Sequence, residues 1–191
     1  LLAFGTNTTS AIKHYVNFGY QEGRVKDNFD EWSYLASHSD LISTFGSETN
    51  KGSLATHHYV NYGFSEDRSI DSFDEWTYLA SHSDLITAFG QHSEAASLGT
   101  QHYVNYGYAE NRLKDDFDEW GYLASNSDLR LAFGTNTTSA IKHYISFGYS
   151  ENRSTDSFDA VGYLRNYSDL RNAFGTDQIL AKKHFVEYGY S

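Results

Sequence analysis

Leu2–Tyr15 and Leu131–Tyr144 spell the same fourteen residues, LAFGTNTTSAIKHY, 129 positions apart. A chain that restates itself over such a distance is made of copies of one unit rather than wrapped around a single asymmetric core. Three landmarks give the phase. Phe-Asp begins at Phe29, Phe73, Phe117 and Phe158. A Phe-Gly pair ends at Gly5, Gly46, Gly90, Gly134 and Gly175. A histidine followed by an aromatic falls at His14, His58, His102, His143 and His184. From Phe-Asp to the Gly is always 17 residues, and from the His to the next Phe-Asp always 15. Only the Gly-to-His stretch varies, being 9 residues in three copies and 12 in two. The unit is therefore 41 residues, lengthened to 44 by an insertion at one loop, and the 129-residue offset is three units. Repeats run 29–72, 73–116 and 117–157, with the C-terminal part of a repeat at 1–28 and an incomplete one at 158–191. Such phasing reads as an excerpt from a longer array.

Each unit reads as short helices. In FDEWSYLASHSDLISTFG, Asp30 is an N-cap with Glu31 favourably placed in the first turn. Trp32, Leu35 and Ala36 then recur at helical spacing. Ser39 is positioned to cap a second helix carrying Leu41, Ile42 and Phe45, which Gly46 ends as a C′ residue. A third helix starts at Thr9 or Ser10, carries Ala11, His14, Tyr15 and Phe18 on one face, and stops at Gly19. Strand signals are weak. The expected fold is all-α: tandem short-helix repeats stacked as an α-solenoid, or strung as compact helical units. Helices this short draw their stability from packing on neighbours.

Composition narrows the function. The net charge of −11 argues against phosphate-neutralising contact with nucleic acid. No apolar run approaches the roughly 20 residues that span a bilayer, and no signal peptide is visible. Cysteine is absent, so this stretch holds no disulfide, thiolate metal site or cysteine nucleophile. The 16 Tyr, 13 Phe and 3 Trp suit thin layers in which core residues lie near the surface.

Four recurring positions carry chemistry. His14, His58, His102, His143 and His184 supply one imidazole per unit, too few for zinc unless units approach closely. They read as half-buried residues tying repeats together. The Arg of Glu22/Arg24, Glu66/Arg68, Glu110/Arg112 and Glu151/Arg153 lies within sequence reach of the acidic turn that follows. It reads as a stacking residue, through an inter-unit salt bridge or a clamp on helix C-terminal carbonyls. Asp27, Asp30 and Glu31, with Asp71, Asp74, Glu75, Asp115, Asp118 and Glu119, form an acidic turn. Capping is the ordinary reading, and calcium coordination is the alternative. Trp32, Trp76 and Trp120 are core residues or, if exposed, a row suited to stacking on glycan, which Tyr20, Phe64, Tyr108 and Tyr149 would extend. NTT at Asn7 and Asn136 and NYS at Asn166 read as turn and cap residues. No nucleophile elbow, HExxH or phosphate-cradling loop occurs, and a candidate triad would recur in every copy. No enzyme activity and no cofactor beyond that calcium alternative are expected.

FDEWTYLASHSDLITAFG followed by HYVNYGFSEDR resembles a repeat of large bacterial secreted and surface proteins. That repeat reads roughly F-D-x-x-x-Y-L-A-x-x-x-D-L-x-x-A-F-G, then H-Y-x-x-x-G-x-x-E-G-R, and in some of those proteins it accompanies calcium-binding glycine-rich repeats. The last copy departs from it, with Ala160 and Val161 where Glu and Trp stand elsewhere. The resemblance implies an extracellular or cell-surface location. The function expected is a structural or adhesive array whose partners are copies of itself or other surface or filament proteins. A glycan-binding module recognising polysaccharide and a calcium-stabilised adhesin spacer are the alternatives.

Overall fold

The computed structural model describes residues 3–5, 7–25 and 27–189. Among them are thirteen α-helices and no strand, arranged as a tandem helical repeat. The first is α1 (Thr8–His14), the third helix of a repeat. Three complete triplets follow: α2 (Glu31–Ser37), α3 (Ser39–Phe45) and α4 (Lys51–His58); α5 (Glu75–Ala80), α6 (Ser83–Phe89) and α7 (Ala95–His102); α8 (Glu119–Ser125), α9 (Ser127–Phe133) and α10 (Thr137–His143). The last triplet is α11 (Ala160–Asn166), α12 (Ser168–Phe174) and α13 (Gln178–His184).

Local chemistry starts these helices where short-range signals are strong. Asp30 Oδ1 accepts from the amides of Trp32 and Ser33, both at 2.9 Å, and Asp74 repeats this on Trp76 and Thr77. The second helix begins differently from the sequence expectation. Ser39 lies inside α3, and His38 holds the N-cap position without a side-chain cap bond. The third helix starts earlier than Thr9 or Ser10, because Asn7 is the cap: its Oδ1 accepts from Ser10 N at 2.9 Å, as Asn136 does from Ser139 N. Gly46 does not end α3 in the left-handed region. It stays right-handed at φ −57°, as does Gly90, whereas Gly134 and Gly175 have φ +59° and +63°. The three-residue insertion follows Gly46 and Gly90, so there the chain leaves the helix through an added turn instead of a left-handed residue.

None of the third helices stops at its last α-helical residue. Each widens into a π-helical turn: Tyr15–Gly19, Tyr59–Gly63, Tyr103–Gly107, Tyr144–Gly148 and Phe185–Gly189. Bonds such as Phe64 N to Tyr59 O and Tyr149 N to Tyr144 O close rings one residue larger than an α-turn, at 2.9 and 2.8 Å. The helical run thus ends at Gly19 as expected, with its last turn π-helical rather than α-helical.

The chain forms two compact units, Leu1–Phe73 with Thr100–Arg112, and Asp74–Gly99 with Leu113–Ser191. In the first, α2 packs on α4 and on the turn Tyr103–Gly107 of the following repeat. In the second, α8 packs on α10 and α13, and α5 packs on α10 and its turn. A first helix thus sits between the third helix of its own repeat and that of the next. Tyr34, Leu35, Tyr78, Leu79, Tyr122 and Leu123 are fully buried in these seats. Each such Leu contributes about 2 kcal/mol. The Phe of Phe-Asp stacks on the aromatic opening its repeat's turn: Phe29 on Tyr59 at 4.9 Å, Phe117 on Tyr144 at 4.7 Å, Phe158 on Phe185 at 4.3 Å.

Candidate functional site

The recurrent polar centre is where first helix, third helix and π-turn meet. The Tyr34 hydroxyl lies 3.0 Å from His58 Nδ1, Tyr122 lies 2.9 Å from His143, and Tyr163 lies 3.0 Å from His184. Burial, helped by the positive charge of Arg68 or Arg153, pushes His58 and His143 below the usual histidine range. Burial also raises the tyrosines, Tyr122 to about 12. In the Tyr34–His58 and Tyr122–His143 pairs both partners are therefore neutral near neutrality, and the hydroxyl donates to Nδ1. The turn glycine completes the latch. A Cβ on Gly63 would stand within van der Waals overlap of the Tyr34 hydroxyl, and Gly148 and Gly189 are crowded in the same way by Tyr122 and Tyr163. The glycine is there for close approach, not for an unusual φ.

A second device ties the following loop back to the repeat. Arg68 donates from Nη1 to Asp40 at 2.8 Å and from Nε to Glu66 at 2.7 Å. Arg153 makes the same fork to Asp128 and Glu151, both at 2.6 Å. Arg112 and Arg24 likewise pair with Glu110 and Glu22. The clamp reaches back to the second helix of the same repeat rather than forward to the next acidic turn. His38 Nε2 and His82 Nε2 meet the carbonyls of Ser69 and Leu113 at 2.9 and 3.0 Å, and Asn126 does this for Ser154. Ser37, Ser81 and Ser125 hydroxyls accept the amides of Ser72, Asp116 and Ser157.

The acidic residues are largely occupied within the fold. Asp30, Asp74 and Asp118 cap first helices, and Asp27 Oδ1 accepts from Phe29 N at 3.1 Å. Asp118 also holds the buried Lys182 ammonium at 2.7 Å, and Asp156 holds it at 3.0 Å, tying the last third helix to the preceding repeat. Among the described residues no three His, Asp or Glu side chains converge on one point. Glu31 and Glu119 lie half-buried in the first turns of their helices, and Asp71 and Asp115 lie exposed ahead of theirs. Glu75 is half-buried.

Trp32, Trp76 and Trp120 are half-buried. Lys142 of the next repeat lies 4.7 Å over the Trp76 ring, and Lys183 lies 5.5 Å over Trp120, in cation–π contact. The exposed aromatics are elsewhere. Each turn carries one just before its glycine: Phe18, Tyr62, Tyr106, Phe147 and Tyr188, all more than half exposed. Each rests against its own repeat's histidine, with ring centroids 5.3–5.7 Å apart. Sequence reasoning placed Phe18 on one helix face with Ala11, His14 and Tyr15 and assigned the others no role. Their signal was present: an aromatic four residues after the histidine in every copy. Tyr20 is also exposed, whereas Tyr108 bonds Ser43 Oγ at 2.7 Å.

No protein-family model matches the chain, nor does any curated protein or solved structure.

Proposed function

We propose that the chain is a structural repeat scaffold of an extracellular or cell-surface assembly, whose copies associate through the aromatics exposed at the π-turns. One observation carries this reading. Every turn, in all five copies, presents a large aromatic to solvent at the same register, fixed on a histidine that is itself part of the fold. Weak contacts at regular intervals give avidity without a deep pocket. The chemistry-bearing side chains support the same reading, since Tyr, His, Arg and Asp bind one another rather than converge on a vacant site. The resemblance to secreted and surface repeats supports the location, and the net charge of −11 favours solubility between encounters.

Sedimentation velocity over a wide concentration range tests this. The expected result is concentration-dependent oligomers, reduced when Tyr62 and Tyr106 are both changed to Ser. Calcium or EDTA is expected to leave the distribution unchanged, because the cap oxygens of Asp30, Asp74 and Asp118 already accept helix amides. A strict monomer at every concentration would overturn self-association.

Polysaccharide binding is the second reading, favoured by the same row of rings, which is free to stack on sugar faces. The half-buried tryptophans beneath lysines are poorer platforms. A monomer that sediments with a soluble polysaccharide, and ceases to do so in the same double variant, would transfer the role to glycan.

A further inference from the structure

The exposed position of the π-turn is not chemically uniform. It holds a phenol at Tyr62, Tyr106 and Tyr188 and a plain phenyl ring at Phe18 and Phe147. Packing does not distinguish the two kinds: Tyr62 is 57% exposed, Tyr106 60% and Phe147 57%. Tyr106 and Phe147 belong to copies with a repeat on either side in the chain, so this exposure belongs to the packed repeat. A hydroxyl gives such a ring the capacity to release one electron and one proton together, which phenylalanine lacks.

Oxidation has few other outlets in this chain. It contains neither Cys nor Met, the side chains whose sulfur takes up oxidant most readily. The Trp76 and Trp120 rings lie beneath the ammonium groups of Lys142 and Lys183, and a cation over a ring opposes removal of an electron from it. Tyr34, Tyr78 and Tyr122 are fully buried, so no ring of another molecule reaches their carbons. Tyr62 and Tyr106 instead stand more than half exposed, on the surface through which the scaffold reading brings copies together.

We propose that Tyr62, Tyr106 and Tyr188 are sites of oxidative tyrosine–tyrosine coupling between copies of the chain, with hydrogen peroxide and a haem peroxidase as the oxidant. Peroxide is reduced to two molecules of water by two electrons and two protons, one of each from each of two phenols. The two phenoxyl radicals join through a new carbon–carbon bond between ring carbons ortho to oxygen. The hydrogens on those carbons leave as protons and both oxygens are reprotonated, so two C–H bonds are exchanged for one C–C bond. The inference rests on the scaffold reading and deepens it: weak contacts at the π-turns bring copies into register, and coupling makes the contact permanent. Phe18 and Phe147 keep the contact without the link, which leaves those joints reversible.

The test treats the whole chain with a haem peroxidase and limiting hydrogen peroxide, at a concentration where sedimentation shows oligomers. A ladder of covalent oligomers on a denaturing gel is expected, together with dityrosine fluorescence. Fragmentation mass spectrometry should place the links at Tyr62, Tyr106 and Tyr188. The variant carrying Tyr62→Phe, Tyr106→Phe and Tyr188→Phe should sediment as the parent does, since phenylalanine already fits this position at Phe18 and Phe147, yet its ladder should be lost. An undiminished ladder in that variant, or links concentrated on the exposed Tyr20, Tyr149 or Tyr167, would overturn the proposal. Dityrosine without covalent oligomers, or no coupling at all, would do the same. A chain that sediments as oligomers yet gives any of these results leaves the scaffold reading standing and removes this one. A strict monomer removes both.

Discussion

At the scale of single residues, the glycine closing each π-turn and the tyrosine five positions after the Phe of Phe-Asp are one design decision. A Cβ on Gly63 would overlap the Tyr34 hydroxyl but lie 3.3 Å from its ring carbon Cζ. Gly63→Ala should therefore cost about 2 kcal/mol through overpacking, and Tyr34→Phe about 1 kcal/mol through the lost bond to His58. The double variant should cost clearly less than the two together, since removing the hydroxyl opens the space the methyl needs. Urea unfolding of the four proteins measures the coupling. Strict additivity would mean that the glycine serves the backbone alone. The contact of a Cβ with Tyr59 Cδ2 at 3.1 Å sets the remainder that Tyr34→Phe does not relieve.

At the scale of elements, the Arg68 fork fastens the loop leaving the π-turn to the first turn of α3, where Asp40 also faces the helix dipole favourably. Arg68→Ala should lower stability by about 0.5–1 kcal/mol, the modest size reflecting an Asp40 carboxylate that is more than half exposed. That corresponds to a melting temperature lower by about 1–4 °C. Arg68→Lys should recover less than half of this, because a single ammonium does not reproduce two directed N–H bonds. High salt should shrink the difference. Full rescue by lysine would reduce the fork to simple charge.

The same elements show which parts of the fold were legible in advance. The phase of the repeat and the Asp30 cap could be read because their causes lie within a few residues. Arg68 finds Asp40 across 28 positions, so sequence distance pointed instead to the nearer acidic turn. The π-turn is present even at Tyr15–Gly19, where no tyrosine hydroxyl crowds the glycine, so the seated tyrosine is not its cause, and no standard helix propensity announces it. Gly46 and Gly134 share a motif yet differ in conformation because the insertion that follows offers a different exit. The aromatic row was missed for a further reason: helical spacing grouped Phe18 with Ala11, His14 and Tyr15 on one face, which gave no signal that Phe18 is more than half exposed.

At the scale of the whole molecule, repetition turns a small proton linkage into a collective one. His58 and His143 are held below the usual range chiefly by burial and next by Arg68 and Arg153. The unfolded chain therefore takes up protons first as pH falls. The stability these neutral histidines contribute is complete above their unfolded value of about 6.5 and is lost as pH falls through their lower folded values. A second loss follows in stronger acid. The Arg153 hydrogen bond holds Asp128 below the ordinary carboxylate range, and for Asp40 burial pushes upward but Arg68 outweighs it. On the alkaline side Tyr122, raised by burial to about 12, stabilises the fold below its unfolded value of about 10, and that contribution is lost as pH rises through the folded value. Melting temperature should thus be highest between about pH 7 and 10, fall below about pH 6.5, and fall again below about pH 4. A pH series of thermal melts reads all three limbs. In the variant carrying both His58→Gln and His143→Gln the baseline should drop, but the slope of the first acid limb should flatten, a response that lost packing alone does not produce. An unchanged slope would place the titrating groups elsewhere and leave the latch as packing without a proton switch.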